Sequence, residues 1–315
     1  MPLPNLSLLL GKSSYHDRVY HYPDLAPLRA ALQAKDWPAV VAFFGGLPEH
    51  DDPTVATGMV VETRSVEKFL RGAGGGPAAS TLAGSLLGAR LVIMAWAARG
   101  SASARQTTNR QFKAFHQILL EAEQVLGEVT AANPGDVAAW TWRLATARGL
   151  GMGQEEANRR YARAAKARAN PFLAQLGHIQ QLCPKWGGTL EAMHAFARAC
   201  ADGAPAGSLN ATAVAEAHLE HAYHDGGFAY LRQPAVLAEI QDAAARSVGH
   251  PDYRQVHGWV QAESSFAYVL WHAGDRPGAA ARMARLGNRV TDFPWSDENE
   301  FEAVRRSLRG IGGVR

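Results

Sequence analysis

Apolar positions along this chain recur at helical spacing from about residue 25 to residue 308, and no stretch sustains strict apolar–polar alternation between hairpin turns. The expected class is therefore all-α, without a sheet. The plainest pattern runs from Asn133 to Cys200, where Asn133-Pro134 and Asn170-Pro171 each close one helical run and open another. Between them stand a helix around Trp140, Trp142 and Leu144, a turn with Gly149, Gly151 and Gly153, and a helix carrying Ala157, Tyr161 and Ala164. The plan then repeats with Phe172 to Leu182, a turn over Pro184-Lys185-Trp186-Gly187-Gly188, and a helix carrying Ala192, Phe196 and Ala199. Small-x3-aromatic-x2-small recurs after 35 residues, from Ala157 to Ala192. A repeat of this period means stacked antiparallel hairpins, because one hairpin cannot bury its own apolar face. Ala39, Phe43 and Gly46 carry the same signature, and Ala279, Met283 and Leu286 a weaker copy. Tyr161, Phe196 and Phe43 are accordingly expected to be buried where hairpins stack.

Further helices are expected over residues 25–35, 37–46 with Asp36 as cap, 54–70, 78–99, 107–131, 209–223, 234–248, 256–273, 277–290 and 297–308. The pattern divides into an N-terminal helical region, 1–132, with two long helices, and hairpin repeats over 133–315, joined in one continuous body. Trp140, Trp142, Trp259 and Trp271 fall within helical stretches and are expected in the core.

With Trp140, Gly149, Ala157, Tyr161, Ala164 and Pro171 in place, the central unit resembles a degenerate tetratricopeptide repeat. Leu182-Cys183-Pro184-Lys185-Trp186-Gly187-Gly188, preceded by Trp140 and Arg148-Gly149-Leu150, also resembles an uncharacterised bacterial family with a domain of unknown function. These resemblances imply a helical-repeat fold in a bacterial protein and no particular activity.

An apolar share of 47% and a charged share of 19% over 315 residues exclude wholesale disorder. The net charge of +3 is small, and basic residues are interspersed with acids, so nucleic acid is not indicated. Arg159, Arg160, Arg163, Lys166 and Arg168 share one helix without stacking aromatics and read as a solvated outer face. Cys183 and Cys200 lack the spacing of a zinc site and are expected to stay reduced. Residues 1–10 are apolar without a basic leader, and 92–98 are too short to span a bilayer. A cytoplasmic protein with no membrane contact is expected. Two glycine-bearing stretches fail as nucleotide loops: Pro77 replaces the third glycine of one, and Leu6 the first glycine ahead of Gly11-Lys12-Ser13. No cofactor is expected.

Chemistry concentrates in the helix bearing Glu216, His218, Glu220, His221 and His224. His218 and His221 stand three apart, and Glu220 and His224 four apart, so two ligands can converge from adjacent turns. Neither HExxH nor its inverted form is present. Three histidines spaced by three spread over roughly 120° of the helix circumference, so no metal is expected, with His218, His221 and His224 as the alternative ligand set. Glu191-x2-His194 has the spacing of di-iron bundles but no second copy, which leaves His194 an ordinary helix histidine. Lys185 and Trp186 occupy a turn stiffened by Pro184 and freed by Gly187-Gly188, suited to recognition.

Two functions follow. One is a non-catalytic helical-repeat protein that binds a peptide or protein partner in a concave groove through Lys185, Trp186, His218, Glu220 and His221. The alternative is an all-α metal-dependent or acid/base enzyme using the His218–His224 helix, with His218 and Glu220 as catalytic candidates. Convergence of an acid or imidazole from a second helix on His218 discriminates between them.

Overall fold

The computed structural model describes residues 16–73, 75–100 and 106–311. Among the described residues the regular structure is helical throughout, with no strand. The α-helices are α1 (Arg18–His21), α2 (Ala26–Ala34), α3 (Trp37–Gly45), α4 (Pro53–Glu62), α5 (Glu67–Gly72), α6 (Pro77–Arg99), α7 (Asn109–Ala132), α8 (Val137–Gly149) and α9 (Gly153–Ala167), followed by α10 (Phe172–Leu182), α11 (Leu190–Asp202), α12 (Thr212–His224), α13 (Gly227–Leu231), α14 (Pro234–Arg246), α15 (Trp259–Ala273), α16 (Arg276–Leu286) and α17 (Glu298–Ser307). The Gly11-Lys12-Ser13 stretch lies outside the described residues.

Helix starts follow local chemistry. The side chains of Asp36, Asp136, Thr189 and Asp275 accept from the backbone N–H three residues on, and Thr108 with Gln111 forms a reciprocal capping box. The single helix expected over 54–70 is instead two. Thr63 Oγ1 donates to the Met59 carbonyl, and the buried Arg90 guanidinium donates to the Val61 carbonyl at 2.6 Å. With those end carbonyls satisfied, α4 can stop, and Ser65 turns the chain at φ 55°.

Packing divides the chain into two compact units, Met1–His178 and Ile179–Arg315, with the boundary inside α10. In the first unit α6 packs against α4, α5, α7 and α8. Gly88 lets α6 approach α7 closely: a Cβ there would stand 2.4 Å from the Leu126 side chain. The stretch Ala79–Arg99 is long and apolar enough to cross a membrane by length and composition, and 67% of it is buried inside the protein. Of the basic residues expected on the outer face of α9, Arg160 does not face solvent. Three residues after Ala157 and four before Ala164, it lies on the buried stripe, ion-paired to Glu123 at 2.8 Å and Glu156 at 2.6 Å.

On α3 and α11 the aromatic signature marks the flank of the helix instead of its core, whereas on α9 its small residues Ala157 and Ala164 are buried. Phe43, Tyr161 and Phe196 are half-buried, not buried. On α11 the buried stripe is Met193, Ala197 and Cys200, one position away from Ala192, Phe196 and Ala199, and on α3 it is Trp37 and Val40. A shift of one residue rotates a helix face by about 100°, so the contact goes to the neighbouring stripe. Trp142 and Trp259 are buried as expected, whereas Trp140 and Trp271 are half-buried at the surface, with Nε1 donating to the Pro134 carbonyl and Ser307 Oγ respectively.

In the second unit α12 is the hub, packed against α11, α13, α14 and α15. Every residue from Thr212 to Glu220 is buried, although three of them are ionisable.

Candidate functional site

With about 100° between successive residues, Glu216 and Glu220 lie about 40° apart around α12, and His218 and His221 about 60° apart on the other side. The helix therefore has an acidic face and an imidazole face. His218 and Glu220, both expected to serve one groove, point into different surroundings.

The imidazole face collects groups from four helices. His218 is 2% exposed. Its Nε2 lies 3.1 Å from Glu239 Oε2 on α14, and its Nδ1 lies 2.8 Å from Tyr230 Oη on α13. Burial alone would raise the Glu239 carboxyl, but His218 and Arg198 beside it hold it below its ordinary range, so it is ionised and can only accept. The Nε2 of His218 must then carry the hydrogen. In the neutral ring Nδ1 is the acceptor, and the Tyr230 hydroxyl donates to it. Arg198 Nη1 donates to the second Glu239 oxygen at 2.9 Å.

His194 of α11 joins this group. Its ring centroid lies 4.7 Å from that of His218, and its Nε2 is 2.9 Å from His221 Nδ1. His221 in turn stacks on the Tyr230 ring at 3.8 Å between centroids. Burial lowers His218 and His194 to about 4 and also lowers His221, so all three rings are neutral at pH 7. Burial, reinforced by Glu239, pushes the Tyr230 phenol up to about 12. Neutral imidazoles can pack together at this density; three imidazolium ions could not.

The acidic face is held differently. Glu216 Oε1 accepts from Gln261 Nε2 at 3.0 Å and Ser265 Oγ at 2.9 Å, both on α15, and burial raises its carboxyl to about 7. Glu220 receives the turn that follows α10. Lys185 Nζ reaches its Oε2 at 2.6 Å, Cys183 Sγ lies 3.6 Å from the same oxygen, and Gln180 Nε2 donates to Oε1. Lys185 itself remains 50% exposed, and Trp186 beside it is half-buried. The turn takes this shape because Gly187 adopts φ 84° and Gly188 lies against the Leu182 backbone.

Of the sequence candidates, Lys185 and Glu220 come together, as do His218 and His221, while His224 is exposed. Among the described residues, the ring nitrogens of His218, His221 and His224 do not gather within 4.8 Å of one another. Sequence reasoning set His194 aside as an ordinary helix histidine and passed over Arg198, Tyr230 and Glu239. The Glu191-x2-His194 spacing singled out His194 for the wrong partners, and nothing in the spacing of the other three marks them. Tyr230 sits on α13, where only a chain break after Gly226-Gly227 was expected.

No family model matches this chain, and no curated protein or solved structure matches it.

Proposed function

We propose that this protein is an all-α acid/base enzyme whose proton-transfer pair is His218 and Tyr230. The observation that carries the reading is the chain Glu239–His218–Tyr230, in which groups from two other helices close on the two nitrogens of one buried imidazole. A hydroxyl within reach of a base, with the base oriented by a third group, is the general arrangement of an activated nucleophile. As the Tyr230 oxygen bonds to an electrophilic centre and the bond from that centre to its leaving group breaks, the phenol proton passes to His218 Nδ1 in the same step, because a phenol held near 12 does not ionise ahead of it, and Glu239 stabilises the imidazolium that forms. His218 then gives the proton to the leaving group; on reversal it returns to the phenol. Glu220 has no part in this transfer, since its oxygens are taken by Gln180 and Lys185.

An aryl sulfonyl fluoride tests the reading without a known substrate. The tyrosine oxygen–sulfur bond forms, the sulfur–fluorine bond breaks, fluoride leaves, and His218 takes the proton. Peptide mass spectrometry should find Tyr230 labelled faster than the more exposed Tyr20 and Tyr223, and the rate should fall at least about tenfold in His218→Gln and in Glu239→Gln. If Tyr230 reacts no faster than Tyr20 and Tyr223, or if His218→Gln reacts like the wild type, the acid/base reading is wrong.

A second reading rests on Lys185, which is half-exposed yet anchored by a buried carboxylate beside Trp186. On this reading the protein is a non-catalytic, tetratricopeptide-like stack of hairpins that binds an acidic peptide or protein partner. The consecutive helix pairs α6–α7, α8–α9, α11–α12 and α15–α16 support it. The double change Lys185→Ala and Trp186→Ala should then weaken capture of acidic peptides from a display library about tenfold, and the Tm should fall as well, since the buried Glu220 carboxylate loses its cation. A lower Tm with undiminished capture would assign Trp186 to packing. Both readings keep the chain in the cytoplasm, in keeping with the buried thiols of Cys183 and Cys200.

A further inference from the structure

We infer that the substrate of the His218–Tyr230 site carries an oxyanion, a phosphate or a carboxylate, gripped by Arg198; the inference rests on the acid/base reading of that site. Arg198 stands four residues after His194 on α11, so the two side chains share one helix face. Its side chain is 53% exposed, and Nη1 donates to Glu239 Oε1 at 2.9 Å. A guanidinium carries five N–H donors in a planar fork, and Glu239 engages it through one nitrogen. The remaining fork matches two oxygens of a carboxylate or phosphate.

The charges around the site point the same way. The Arg198 charge acts on His194, His218 and Tyr230, so it lies within electrostatic reach of the transfer pair. The three imidazoles are neutral at pH 7, and the Glu239 carboxylate is already paired, which leaves Arg198 as the cation available to a ligand there. Glu191 and Asp225 act on His221 and not on Tyr230. Lys185 cannot take this role, because Glu220 holds its ammonium on the opposite face of α12. A neutral ligand would leave the Arg198 fork solvated, whereas an oxyanion would complete it.

Calorimetry on the full chain with phenyl phosphate, benzoate and benzyl alcohol tests this. At least one of the two anions should bind about tenfold more tightly than the neutral alcohol. Arg198→Gln should abolish that difference, and Arg198→Lys, which keeps the charge without the fork, should retain part of it; the Lys variant also serves if the Gln variant does not fold. Which anion binds identifies the oxyanion as phosphate or carboxylate. Equal binding of the alcohol, absence of binding by both anions, or undiminished anion affinity in Arg198→Gln would overturn the inference. Arg198-dependent anion binding with an inert Tyr230 would remove the acid/base reading and leave the anion site. A reactive Tyr230 without such binding would remove the anion site alone.

Discussion

Acidification from about pH 7.5 to about pH 4.5 should lower the Tm by on the order of 10 °C, with most of the loss below pH 6.5. His178, His194 and His218 are buried, and burial lowers each to about 4 in the folded chain. In the unfolded chain an imidazole takes up its proton near pH 6.5. Between those values the unfolded state binds protons that the folded state does not, so stability falls as the pH falls. Each ring can withdraw up to about 3 kcal/mol by this route. Glu216 works in the opposite sense. Its carboxyl, raised to about 7, binds its proton more tightly when folded, so its contribution is full below about 4.5 and is lost as the pH rises through 7. One carboxyl against three imidazoles leaves a net loss in acid of roughly 6 kcal/mol, comparable to the whole stability of many domains. Thermal melts across this range check the sign, and His218→Gln should flatten the slope by about half. A Tm that is level or rises toward acid would show that these rings are not held neutral by burial.

Gly188→Ala should destabilise the fold by roughly 3 kcal/mol or more, against about 1–2 kcal/mol for Gly187→Ala next to it. A Cβ on residue 188 would stand 2.0 Å from the Leu182 carbonyl oxygen and 2.4 Å from its carbon. Those are backbone atoms at the end of α10, and they cannot rotate away as a side chain can. At residue 187 a Cβ meets open space, and the cost is only that of holding an L-residue at φ 84°. The larger change also separates Lys185 from Glu220, because Gly188 N donates to the Cys183 carbonyl and closes the turn that carries the lysine. Urea titrations of the two variants give the order. Equal stabilities, or a larger loss at residue 187, would contradict the close approach at residue 188.

How much of this was legible in the chain depends on how far apart the interacting groups lie. The all-helical class, the caps at Asp36 and the extent of α10 are set by residues within a few positions of one another, and helical spacing reports them directly. The division of α12 into an acidic and an imidazole face is likewise contained in the 100° turn per residue, although the sequence reading put His218 and Glu220 in one groove. The local pattern could not say which stripe of a helix meets its neighbour, so the conspicuous aromatics Phe43, Tyr161 and Phe196 lie half-exposed while the plainer Met193 and Ala197 fill the core. Nor could it split 54–70 into two helices, because the guanidinium that helps to end α4 comes from Arg90, 29 residues beyond the carbonyl it caps. The candidate site is the extreme case. His218 meets Tyr230 and Glu239 across 12 and 21 residues, and His194 meets His221 across 27, through helix packing that imposes no spacing on the sequence. The helix period decides the direction in which each side chain leaves its helix; only the packing of α11, α13 and α14 around α12 decides what it finds there.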